Sequence, residues 1–388
     1  MKKSVLKFVF IVMLCIGSGF IIGELVSILK MDSINFFDTY NVIRLIGAFL
    51  CALIVSVTVH EMAHALYFRI HGIQIRLFAV FFLCLNHCSG KWKVLFYPNS
   101  ITILGGLVIP DLPPISNKEV FEKVRKIYYR DLLIAPIVSG LLAVISIITL
   151  FLFNSNTNNS GVSIIATFLL MFIFTNLTIF LSSFIKTENI FGDFPAYYVY
   201  KNNDKIAKLQ ICQYLFFSDS WKNVADKSKW IIDELKNMIA NQSSDNLDMI
   251  DLQLLDWIVQ MDFISEVKLD KGVLDLMSKI TNSKNDLFSF PSSESRDVLF
   301  YHIIYSLLKY NRISISEARI KIDSVSPDLL QNHPSKEYYN QLTNHFLGNS
   351  DNTLWLKKHI NPNASYSLLK IFPAIEYIEM QLINKLKE

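Results

Sequence analysis

The chain has 388 residues, 52% of them hydrophobic and only 18% charged, with 29 phenylalanines and a mean hydropathy of +0.34. That balance belongs to a membrane protein rather than to a soluble or disordered one. The formal net charge of +3 is small and scattered, with no basic patch interleaved with aromatics, so no nucleic-acid partner is expected.

Met1-Lys2-Lys3-Ser4 opens the chain with positive charge, and Val5 to Leu29 is an apolar run long enough to cross a bilayer. No small-residue cleavage site follows it, which predicts a retained first membrane helix, with Glu24 snorkelling to the interface near its far end. Lys30 to Asn41 is a short polar connection.

The next apolar run, Val42 to Ile70, contains Val59-His60-Glu61-Met62-Ala63-His64-Ala65. On a helix, His60 and His64 stand one turn apart on one face, the spacing at which two imidazoles can share a zinc ion. Glu61 lies beside them, placed to take a proton from water rather than to bind metal. The plain alternative is a chance pattern. Three ionisable groups so close together in a membrane-grade helix are costly unless they pair or ligate, which favours the metal.

Arg69, His71, Arg76, Lys91 and Lys93 follow, and by the positive-inside rule they put this end of the helix at the cytoplasmic face. His71 adjoins Gly72 and reads as interfacial. Cys84, His87 and Cys88 spell C-x-x-H-C, but no second pair at ligand spacing completes a metal site. The five cysteines are odd in number and two lie in apolar segments, so no disulfide framework is expected.

Leu77 to Pro110 is apolar yet broken by Asn86, Pro98, Asn99, Gly105 and Gly106. Short extended pieces at 95–97 and 101–104 flank a Pro98-Asn99 turn, predicting a re-entrant hairpin beside the site. Irregular backbone at membrane depth survives only against protein or a water-filled cavity. Lys118 to Arg130 reads as a basic cytoplasmic connection. Leu132 to Phe153 is the next membrane helix, with Pro136 in its first turns and Ser139-Gly140 small enough for close packing.

After a short outer loop, Val162 to Ile185 returns through the membrane carrying Asn176, a residue type that commonly joins helices. Asp193 follows on the same side as the His60/His64 end. An open catalytic zinc site takes three protein ligands. Asp193 is the candidate for the third, and Asp111 competes with it.

Together these stretches resemble the site-2 protease family of intramembrane zinc metalloproteases, peptidase family M50. The resemblance rests on His60-Glu61-Met62-Ala63-His64, on Ala135-Pro136-Ile137-Val138-Ser139-Gly140 opening the next membrane helix, and on Asn176-Leu177 followed by Gly192-Asp193. It covers Val42 to Tyr200. It implies zinc held by His60, His64 and Asp193, Glu61 as general base, and Asn176 holding the substrate backbone. It also implies a strand edge near Tyr97 to Gly106 that pairs with an extended substrate. Three features depart from the family pattern: Phe194 stands where Gly is usual, Asn176 and Asp193 are farther apart than is common, and Ser139 stands where Asn is frequent.

Beyond residue 200 the chain turns polar, and helical spacing recurs in Trp221 to Ala240, Leu247 to Ile264, Val298 to Leu308 and Leu368 to Leu386. His302, His333, His345 and His359 are scattered without ligand spacing, and Trp221, Trp230, Trp257 and Trp355 read as core. The expected architecture is mainly α: a polytopic membrane helix bundle of about four membrane helices plus a re-entrant hairpin-like segment, with a C-terminal α-helical cytoplasmic domain. Its divisions are 1–41 (first helix and outer loop), 42–200 (metalloprotease core) and 201–388 (helical domain).

The expected protein is a multi-pass cell-membrane protein with cytoplasmic termini. It would be a zinc endopeptidase cutting in or near the membrane-embedded segment of a protein or small peptide precursor. The alternative is a non-catalytic protease-like scaffold that binds an exporter or regulator through its cytoplasmic helices. The lipid bilayer, the membrane-embedded substrate and a protein bound at the helical domain are the expected partners.

Overall fold

Three long apolar stretches form the helices around which everything else packs. The computed structural model describes residues 39–96, 105–154, 160–186, 192–218, 221–242, 247–264, 268–282, 293–325, 336–348, 351–359, 380 and 383–384. Helix α1 is Thr39–Ile70, and after a sheet come α2, Lys118–Asn154, and α3, Ser160–Ser182. Within them Ile43–Ile70, Lys118–Leu152 and Ile164–Ser182 are long and apolar enough to cross a membrane. The expected first membrane helix, Val5 to Leu29, lies outside the described residues.

These helices expose apolar side chains and bury polar ones. Ile137, Leu141, Val144, Ile148 and Leu152 are exposed along α2. Inside, Ser56 Oγ lies 2.7 Å from Thr175 Oγ1, and Asn176 Nδ2 donates to Ser56 Oγ at 2.8 Å. These bonds join α1 to α3 in the manner of intramembrane polar side chains. At Gly140 a Cβ would come within 3.2 Å of the Phe180 ring, so the expected close packing of α2 is met against α3.

Helix α2 corrects the sequence reading. Lys118 to Arg130 is the first part of this same helix, not a connection, and Pro136 therefore stands in its interior. The reason is a buried stripe of Phe121, Val124, Ile127 and Tyr128 at helical spacing, with Glu119, Glu122, Lys123 and Lys126 on the other faces. Asn117 caps the start, its Oδ1 accepting the Val120 N–H at 2.9 Å.

The turn at Pro98-Asn99 and the second arm of the expected re-entrant hairpin, within residues 97–104, lie outside the described residues, and the described part of the broken stretch after α1 is a four-stranded antiparallel sheet. Its strands are β1 (Gln74–Val80), β2 (Leu83–Cys88), β3 (Lys91–Phe96) and β4 (Gly106–Asp111), in the order β3-β2-β1-β4. Gly72, at φ +78°, ends α1: its N–H bonds to Arg69 O at 3.1 Å and that of Ile73 to Phe68 O at 3.0 Å, a Schellman motif. Ser89 and Gly90, both at positive φ, turn β2 into β3.

Each face of the sheet has its own neighbour. Leu77, Ala79, Cys84 and Ile109 form a small core with Tyr214 and Phe217. Phe78 and Val108, paired across β1 and β4, join the main core on the side of α1. Side chains alternate along β2, so Cys84 faces that small core while His87 stands on the other face, its ring 5.1 Å from that of Trp92. The C-x-x-H-C residues are thus not gathered.

The C-terminal helices are α4 (Asp193–Asn202), α5 (Asp204–Phe217), α6 (Trp221–Lys227), α7 (Lys229–Ala240), α8 (Met249–Ile264) and α9 (Lys271–Asn282). They continue as α10 (Ser293–Lys309), α11 (Ile315–Val325), α12 (Lys336–Phe346) and α13 (Thr353–Lys358). The main core runs from Phe68, Ile73 and Phe121 through Trp221 and Trp257 to Ile383, so these helices grow out of the ends of α1 and α2 without a break in packing.

The expected Trp221 to Ala240 helix divides at buried Ser228, whose Oγ donates to Val224 O and accepts the Ile115 N–H at 2.9 Å. Of the expected Leu368 to Leu386 helix, only 380 and 383–384 are described. Arg76 is fully buried. It donates from Nε to Phe217 O at 2.8 Å, capping the last turn of α5, and from Nη1 to Asn86 and the His87 carbonyl.

Candidate metal centre

One turn of α1 brings His60 and His64 together, with ring centroids 5.2 Å apart and the rings edge to face. Both are 8% exposed. The third group arrives from the far end of α3. There Gly192 donates its N–H to Ile185 O at 2.7 Å, and Phe194 donates to Ser183 O at 3.1 Å. A Cβ on Gly192 would stand 2.5 Å from Ser183 O, so only glycine lets the returning backbone pass this close. Asp193 is therefore the first residue of α4, where a carboxylate suits the positive end of the helix.

Asp193 Oδ2 lies 3.5 Å from His60 Nε2 and accepts from Ser183 Oγ at 3.4 Å. One ligand atom each from His60, His64 and Asp193 lie within 4.8 Å of one another. Asp111 is not in this group. It ends β4 opposite Gln74, whereas Gly106, at the other end of that strand, is the residue that meets α1. Phe194, the departure from the family pattern, packs its ring 4.3 Å from that of Phe184 and anchors the turn.

Two further side chains from α2 hold the imidazoles. His60 Nδ1 is 3.0 Å from Ser139 Oγ, and His64 Nδ1 is 2.9 Å from Asp131 Oδ2. With each Nδ1 so engaged, each Nε2 is left to ligate. Two imidazoles and a carboxylate are the donor set of an open zinc site that keeps a position for water or substrate. Asp131 Oδ1 is buried without a partner, a polar cost of the kind found at functional centres. The residues fit zinc.

Glu61 is 8% exposed and stands against β4: a Cβ on Gly106 would fall 2.6 Å from its Oε1 and closer still to Cγ. The site therefore has a floor of helix and a wall of sheet. Residues 48–263, a stretch that contains His60, Glu61, His64 and Asp193, match the model of Peptidase family M50. The chain belongs to peptidase family M50, the site-2 protease family. No curated protein and no solved structure matches it. Membership makes this M50 chain a metallopeptidase of the site-2 type at family level. The match extends well past Tyr200, where the resemblance read from the residues stops, through α8.

Asn176 lies one helical turn deeper than His60, through its bond to Ser56. Its Nδ2 also donates to Phe172 O at 2.8 Å, while its Oδ1 is buried without a partner. The sequence reading passed over Asp131, whose only signal was a lone carboxylate at the lip of a membrane helix. It also passed over Arg125. That guanidinium donates to Tyr200 O and Lys201 O at 2.9 Å and to Asp204 at 3.1 Å, pinning the C-terminal end of the helix that begins with Asp193. Beside it burial pushes the Tyr200 and Tyr214 hydroxyls up, which keeps this aromatic wall uncharged.

Proposed function

We propose that this M50 chain is an intramembrane zinc endopeptidase that cuts in or near the membrane-embedded segment of a protein or small peptide precursor. The observation that carries the reading is the approach of Asp193 to His60 and His64, with all three ligand atoms inside 4.8 Å. His60, His64 and Asp193 hold the zinc. When bound, zinc supplies Lewis acidity toward a peptide carbonyl and toward water. Glu61 takes the proton from the attacking water and returns it to the leaving amine.

Among the described residues strand β4 pairs with β1 alone, and its other edge would take an extended substrate strand passing beside Glu61 at Gly106. Asn176 offers a substrate amide its unpartnered Oδ1. Buried ionisable groups at this depth serve no purpose in a scaffold, which favours the enzyme over the scaffold reading.

In the membrane the chain is multi-pass, with both termini cytoplasmic and the C-terminal helices open to a protein partner. The face of β2 and β3 carrying Leu83, Trp92, Val94 and Phe96 is exposed and continues the face turned to α1, so lipid covers it. Co-reconstitution with a reporter membrane segment tests the activity. Wild type yields two fragments by mass spectrometry, and Glu61→Gln yields none while keeping its zinc. Equal cleavage by that variant would sink the enzyme reading.

A further inference from the structure

The imidazoles of His60 and His64 are each met at Nδ1 by a side chain of α2, and the two helices run antiparallel here. The higher-numbered histidine pairs with the lower-numbered partner: His64 with Asp131 at 2.9 Å, His60 with Ser139 at 3.0 Å. These partners are not equivalent. A hydroxyl both donates and accepts, so Ser139 is compatible with either tautomer of His60. A carboxylate only accepts, so Asp131 requires the proton of His64 on Nδ1 and leaves the lone pair on Nε2.

Asp131 is expensive to keep. It is 3% exposed, its Oδ1 is buried without a partner, and among the described residues its ion-pair partner is His64. A buried carboxylate with half of its acceptor capacity unused lowers the stability of a fold unless something else recovers the cost. The adjacent chain offers no such return: Arg130 and Leu132 flank it, and its helix would be at least as stable with a neutral residue there. The return comes at the neighbouring ring, because an imidazole hydrogen-bonded to a carboxylate is a fixed and more basic ligand.

We propose that Asp131 is a positioning residue of the metal centre. It fixes His64 in the ligating tautomer and orientation, and the metal-free fold bears the cost. This rests on the zinc reading above. It separates Asp131 from a residue that merely braces α1 against α2, because the two roles give opposite signs. A brace, when removed, loosens the metal-free protein and leaves intrinsic affinity alone. A positioning carboxylate, when neutralised, weakens zinc binding and leaves the metal-free protein as stable or more so.

Full-length protein in mild detergent, stripped of metal, is titrated with zinc against a competing chelator. The thermal midpoint of each metal-free form and the visible spectrum of each cobalt(II) form are recorded alongside. The forms compared are wild type, Asp131→Asn, Asp131→Ser and Ser139→Ala. Asp131→Asn, nearly the same shape, is expected to bind zinc about 10–100-fold more weakly, with a shifted cobalt spectrum and no fall in its metal-free midpoint. Asp131→Ser behaves likewise and serves if the Asn variant does not fold. Ser139→Ala is expected to lose less affinity.

If both Asp131 variants bind zinc as tightly as wild type, or lose metal-free stability at unchanged affinity, the positioning role is overturned while the zinc site stands. A wild type that takes up no zinc overturns both.

Discussion

Gly106 stands directly against Glu61, so close that the Cβ of any other residue would fall 2.6 Å from the glutamate Oε1. The sheet edge and the proposed general base are thus one contact, and what happens on the strand is felt at the carboxylate. Gly106→Ala must push Glu61 aside, since the strand is held on its other side by β1. A displacement of this size at a catalytic group costs about 100-fold in rate. Single-turnover cleavage should fall by that order with zinc content unchanged, and full activity would mean that the contact gives way without consequence.

Arg125 holds the end of α4 opposite to Asp193 through two backbone carbonyls and Asp204. Hydrogen bonds from a charged donor contribute about 1.5–3 kcal/mol each. Arg125→Gln is expected to lower the unfolding free energy by at least about 2 kcal/mol and to weaken zinc binding as Asp193 loses its support. Denaturation and chelator competition on the same preparations check both. Undiminished zinc affinity would show that Gly192 and Phe194 suffice to fix the carboxylate.

Asn176→Leu removes the bond to Ser56 but also removes a buried orphan acceptor. These effects oppose each other, so stability should shift by no more than about 1 kcal/mol. If the Oδ1 holds a substrate amide, the Michaelis constant rises while zinc affinity does not change. Steady-state kinetics in detergent decide it, and an unaltered Michaelis constant would remove Asn176 from the substrate site.

Trp92 lies on β3 between Lys91 and Lys93 and on the same face as the exposed Val94 and Phe96, where an aromatic at the membrane interface is expected. In vesicles of brominated lipid, fluorescence quenching should be marked in wild type and much reduced in Trp92→Phe. Trp221 and Trp257 are buried among the C-terminal helices and serve as the unquenched background. Equal quenching in both proteins would take this hairpin out of the bilayer.

Helical spacing singled out His60, Glu61 and His64, and its place past the returning run of Val162 to Ile185 singled out Asp193; the structure brings one ligand atom each of His60, His64 and Asp193 within 4.8 Å of one another. The sheet was not legible. Its central strand β1 is buried on both faces, so Gln74 to Val80 lacks the alternation that marks a strand. The length of α2 was hidden by its charges, among them Glu119, Glu122, Lys123 and Lys126, which lie off the stripe of Phe121, Val124, Ile127 and Tyr128. Asp131 and Ser139 were beyond reach for another reason. Their partners stand 67 and 79 residues away, and no local pattern announces a contact of that span.

The route by which Asp193 reaches the histidines also sets a timetable. Chains enter the membrane in the order of synthesis, and domains complete themselves from the N-terminal side. A nascent chain whose α1 is already inserted presents His60 and His64 without the carboxylate, which is made only after α2 and α3 and the turn at Gly192. On the proposed ligand set the half-built protein lacks its third zinc ligand beside the segments being threaded past it, and the centre is completed only once the protein's own insertion is over.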